Sequence, residues 1–64
     1  MKDWQQRVVD EERELGEKID RLFAFVEDPE APVSRGDRRV LRLQGAVMTL
    51  YRQILQERID SFND

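Results

Sequence analysis

The sequence predicts an all-α protein: two long amphipathic helices folded into an antiparallel hairpin that assembles into a helical oligomer. Three observations carry this. Apolar residues recur at helical spacing through both halves of the chain. Its prolines, Pro29 and Pro32, fall together at its middle. At 64 residues with no cysteine and no histidine, the chain can form neither a disulfide nor an ordinary zinc site. A unit this small then needs oligomerisation or very good helix packing to be stable.

The first helix is expected over about residues 3–26. Val8, Leu15 and Leu22 are spaced by heptads, as are Ile19 and Val26, so all lie on one face. Trp4, Val9, Phe23 and Phe25 widen that face near the ends. Asp3 is the expected N-cap. Glu12 stands where the stripe calls for an apolar residue. Gly16 costs the helix roughly 1 kcal/mol relative to alanine.

The turn is expected over residues 27–34. Each proline lacks an N–H and biases the preceding residue, Asp28 or Ala31, toward extended backbone. Ser34-Arg35-Gly36-Asp37 then reads as a capping box with Asp in place of Glu.

The second helix is expected over about residues 35–62. It carries two stripes, one of Val40, Val47 and Ile54, the other of Leu41, Met48, Leu55 and Phe62. Leu43, Leu50, Tyr51 and Ile59 fill in between them. That face is too wide for one partner helix, so part of it must meet another chain, a ligand or water. Residues 1–64 thus form one domain. A turn centred near Ala31 sets Gly16 against Gly45 and Ala46, Leu15 against Val47, Leu22 against Val40, and Val8 against Ile54. The same register sets Glu12 opposite Tyr51, a polar pair of the kind that fixes register or oligomer state.

Charge narrows the function classes. The net charge is −3, with five basic and ten acidic residues in 1–30 against six basic and four acidic in 31–64. An acidic chain is a poor binder of duplex nucleic acid, where phosphate neutralisation drives affinity. No apolar run approaches the ~18 residues that span a bilayer. No secretory leader is apparent, so the expected location is the cytoplasm. Without cysteine or histidine the common nucleophile–base pairs are absent, and the isolated glycines form no phosphate loop. A non-enzymatic protein with no cofactor and no metal is expected.

Three groups of residues stand out. Arg35, Arg38, Arg39 and Arg42 share one side of the first turns of helix 2, where free N–H groups and the helix dipole favour an anion. Arginine forks suit phosphate oxygens. The alternative is that they pair with Asp20, Glu27, Asp28 and Glu30 across the turn. Trp4 either packs on Ile59 and Phe62 or serves as a stacking platform for a base. Lys18 is a further phosphate candidate, but it lies about 21 Å from Trp4 along the helix, so the two can share a small ligand only across subunits. Glu12 and Tyr51, with Gly16 and Gly45, make up the seam.

Two segments also carry a resemblance. Gln6 to Phe25 contains Arg7-Val8, Glu14-Leu15, Lys18-Ile19, Leu22 and Phe23. Leu43 to Ile59 contains Leu43, Gln44, Met48, Tyr51, Ile54, Leu55, Arg58 and Ile59. Together they resemble a family of very short bacteriophage proteins related to a small crAss-like phage protein. A looser similarity is to phage sponge proteins that block CBASS and Thoeris immunity by sequestering cyclic nucleotides. The resemblance implies a phage-encoded homo-oligomer in the infected bacterial cytoplasm, holding a cyclic di- or trinucleotide. By role, Trp4 would stack on a base, while Lys18 or the Arg35–Arg42 group would hold phosphate. The alternative function is a protein-interaction hairpin that docks a host or phage protein through its excess apolar stripe.

Overall fold

The computed structural model describes residues 1–62. They form two helices joined by a tight link, α1 (Asp3–Glu27) and α2 (Arg35–Asp60). The hairpin measures 47 × 15 × 13 Å.

Each end of each helix has a local cause. Lys2, not Asp3, is the N-cap residue of α1. Its backbone N–H donates to Gln5 Oε1 at 2.8 Å. Asp3 instead enters the first turn, where a carboxylate complements the helix dipole. At the far end, the Asp28 carboxylate accepts from the Glu30 N–H at 2.9 Å, and the Ala31 N–H closes a turn onto the Asp28 carbonyl at 3.2 Å. The Val33 N–H reaches back over Pro32 to the Ala31 carbonyl at 2.8 Å, a three-residue turn. Ser34 Oγ then accepts from the Asp37 N–H at 3.1 Å and starts α2. The Arg38 guanidinium donates to the carbonyls of Val26 and Asp28. It thereby satisfies carbonyls that the end of α1 leaves without helical partners.

The core is a single seam. Val8, Ile19, Val26, Ala31 and Leu55 are buried, Leu55 completely. Leu15, Leu22, Phe23, Leu41, Met48, Ile59 and Phe62 are half-buried around them. Of the two stripes on α2, the one containing Leu41, Met48, Leu55 and Phe62 therefore faces α1. Val40, Val47 and Ile54 do not oppose α1, contrary to the expected pairs with Leu22, Leu15 and Val8. They are 54%, 68% and 47% exposed. The stripes lie one residue, or about 100°, apart on the helix. Turning the larger side chains inward removes more apolar area from water, and that area sets the driving force.

Burial is incomplete for a protein of this size. The accessible surface is 5020 Å², where a compact 7.7 kDa chain is expected to expose about 4300 Å². The radius of gyration is 14.7 Å, against about 11 Å for a compact domain of this length. Much of the excess is the outer stripe of α2: Val40, Leu43, Val47, Leu50, Tyr51 and Ile54 are all exposed.

Candidate functional site

At the open end of the hairpin, the start of α1 meets the end of α2. The rings of Trp4 and Phe62 pack edge to face, with centroids 5.2 Å apart and planes at 81°. Edge-to-face contact satisfies the quadrupoles of both rings. Trp4 nevertheless remains 46% exposed. Part of the indole thus packs on Phe62 and part is accessible. Lys2, Gln5, Arg58 and Ser61 join the two rings around an open cleft of about 410 Å³. Gln5 is 3% exposed and fixed by its bond to the Lys2 backbone. The cleft thus combines a half-exposed indole with two cationic side chains.

The turn end holds the arginines. Arg38 is committed to the carbonyls of Val26 and Asp28. Arg35, Arg39 and Arg42 are exposed. Among the described residues, none of the three forms an ion pair; the ion pairs present join Arg13 to Asp10 and Glu14, and Arg52 to Glu12. The acidic turn does not absorb them as side-chain pairs, because its nearby carbonyls take the arginine that reaches it. Lys18 is exposed on α1.

These groups are far apart within one chain. Arg39 and Phe62 are separated along α2 by roughly 35 Å. The structure brings Trp4 together with Phe62, Lys2 and Arg58, and not with Lys18 or the arginines at the turn. Lys2 and Arg58 were not among the candidate site residues expected from the sequence. Their signal was the packing of Trp4 on Phe62, which draws in the residues flanking both.

The seam also differs from the expected pairing. Glu12 does not bond Tyr51. Its Oε1 accepts from Arg52 Nε at 2.7 Å and from Gln56 Nε2 at 3.0 Å. The Tyr51 hydroxyl donates to the Glu11 carboxylate. With Leu55 turned inward, Arg52 comes over the seam and Tyr51 rotates to its edge, so each meets the adjacent glutamate. The Arg52 and Gln56 bonds hold the Glu12 carboxyl below its ordinary value of 4.5, outweighing partial burial. The Glu11 carboxylate, with partial burial, raises the Tyr51 phenol above its ordinary 10.0.

Gly16 and Gly45 do not face each other either. A Cβ on Gly16 would stand 2.5 Å from Arg52 Cζ, and one on Gly45 would stand 2.6 Å from Phe23 Cζ. Each glycine is a notch filled by a large side chain from the opposite helix.

Residues 2–61 match the family model described as Sequestin. The chain belongs to the Sequestin family. Its match spans both helices and the link, so the turn arginines, the seam and all of the cleft except Phe62 lie inside the Sequestin region. No curated protein and no solved structure matches the chain. No helix among the described residues is long and apolar enough to cross a membrane.

Proposed function

We propose that this Sequestin-family chain is a phage-encoded oligomeric sponge. It binds a cyclic oligonucleotide signal of host anti-phage defence in the cytoplasm of the infected cell and keeps it from its receptor. The observation that carries the reading is the open-end cleft. A half-exposed indole beside Lys2 and Arg58 suits a ligand with both a base and a phosphate. The family name is compatible with a sequestering role. The unpaired Arg35, Arg39 and Arg42 offer a second set of phosphate donors, reached by another part of the ligand or by another subunit. No bond is made or broken; binding lowers the free signal by mass action.

Thermal unfolding against a panel of cyclic di- and trinucleotides and cyclic ADP-ribose isomers tests this. Ligand at 100 times its Kd stabilises by about 2.7 kcal/mol. For a domain this small that is a rise of roughly 10–20 °C in Tm. Trp4→Ala and Lys2→Glu should each remove the shift. If they leave it intact while Arg35→Glu and Arg42→Glu remove it, the site is at the turn. The exposed stripe on α2 favours a second reading, a hairpin that docks a host or phage protein. Absence of any shift across the panel would favour that one.

A further inference from the structure

The outer stripe of α2 is where the protomer is least complete. Val40, Leu43, Val47, Leu50 and Ile54 follow each other at steps of three and four, which is the spacing of a helix–helix seam, and no part of α1 covers them. From Val40 to Ile54 the stripe runs about 21 Å along α2, and its five side chains are 47–68% exposed.

We propose that this stripe is a self-association surface, on which two copies pack α2 against α2 in antiparallel orientation about a two-fold axis. The dimer stands on the surface of α2 alone; its bearing on ligand capture rests on the sequestering reading.

Charge decides the orientation, because apolar layers form either way. In the antiparallel register Val47 layers with the partner's Leu50, Leu43 with the partner's Ile54, and Val40 with the partner's Glu57, which sets the two Glu57 side chains at opposite ends of the seam. On one flank Arg39 falls beside the partner's Asp60. On the other Arg58 falls beside the partner's Asp37, and Gln44 beside the partner's Tyr51. Each pairing occurs twice by symmetry. Arg39, Arg58, Asp37 and Asp60 are all exposed and lack ion pairs among the described residues. In a parallel register Glu57 would meet the partner's Glu57 within the seam, and Arg39 would lie beside the partner's Gln44. None of the four unpaired charges would then find its opposite. Like charges pressed together disfavour an arrangement, and opposite ones fix register. Arg58 also lines the cleft, so the interface runs up to the cleft mouth.

The chain has no cysteine, which makes cross-linking clean. Sedimentation of the full chain should show a dimer, and Val47→Glu should be monomeric with its helical circular dichroism retained. Mixing Leu43→Cys with Ile54→Cys should give a disulfide-linked heterodimer, while neither variant links to itself. Arg39→Asp and Asp60→Arg should each weaken the dimer by roughly fivefold, and the double variant should recover it. Self-linking of Leu43→Cys would show parallel packing and overturn the proposal. So would a monomer at every concentration, which would assign the stripe to a different protein. A dimer that ignores every nucleotide would defeat the sequestering reading and leave this one standing; a monomer that binds one would do the reverse.

Discussion

At the scale of single residues, the seam is held by polar and steric fits. Glu12 carries two of them, to Arg52 and Gln56. Because its folded pKa is depressed, its contribution is fully present above the ordinary value of 4.5. It is lost as pH falls through the lower folded value. Glu12→Gln should cost about 1 kcal/mol at pH 7. Melting from pH 7 to pH 3 should show a flatter acid limb in the variant than in the wild type. Tyr51 acts at the opposite extreme. Its raised folded pKa means that its contribution is present below pH 10.0 and is lost as pH rises through the folded value. Tyr51→Phe should therefore flatten the alkaline limb. The two glycines should differ. An alanine methyl at Gly16 meets the end of a flexible guanidinium, which can swing aside, and it gains roughly 1 kcal/mol of helix propensity. At Gly45 it meets the Phe23 ring, which has less room to yield. Gly16→Ala should be near neutral by denaturant melting, and Gly45→Ala should cost about 1 kcal/mol.

At the scale of elements, the link between the helices was readable and the rotation of α2 was not. Two prolines in four residues and a Ser-x-x-Asp start leave few ways to connect two helices, and Ser34 caps α2 as its position suggests. Ser34→Ala should lower stability by about 1 kcal/mol. The face that α2 turns inward was ambiguous because both stripes have the same period. What separates them is side-chain size and the companions each brings along, Gly45 and Arg52 on one side, Leu43 and Leu50 on the other. Periodicity carries no such information. Arg38 was hidden for a related reason. Four arginines in eight positions look alike in sequence, and only the path of the backbone brings the carbonyls of Val26 and Asp28 within reach of that one. Arg38→Ala should remove the side-chain donor from both carbonyls and leave that of Asp28 with only the Ala31 N–H. Hydrogen exchange should then quicken at the end of α1 and in the link, while mid-helix amides stay protected.

At the scale of the molecule, the hairpin is a rod with its candidate chemistry at both tips. The Trp4 cleft sits at one end and Arg35, Arg39 and Arg42 at the other. The sequence already implied this separation, because it set the arginines in the first turns of helix 2 and offered Ile59 and Phe62, near the end of that helix, as packing partners of Trp4. If the outer stripe pairs two copies, stability depends on association: across a hundredfold range of protein concentration, the Tm of the wild type should rise, and that of Val47→Glu should not.

The position of that stripe along α2 has its own consequence. Val47 and Leu50 lie near the middle of the helix that spans Arg35–Asp60. An antiparallel partner docked there overlaps the protomer along nearly its whole length. The dimer would then be a slab about as long as one hairpin and twice as broad, with the same patch consumed on both copies. A self-complementary contact of this kind closes on itself, whereas a head-to-tail contact leaves a free patch at each end. A chain that presents a long apolar edge would in this way stop growing at two copies instead of extending into fibres.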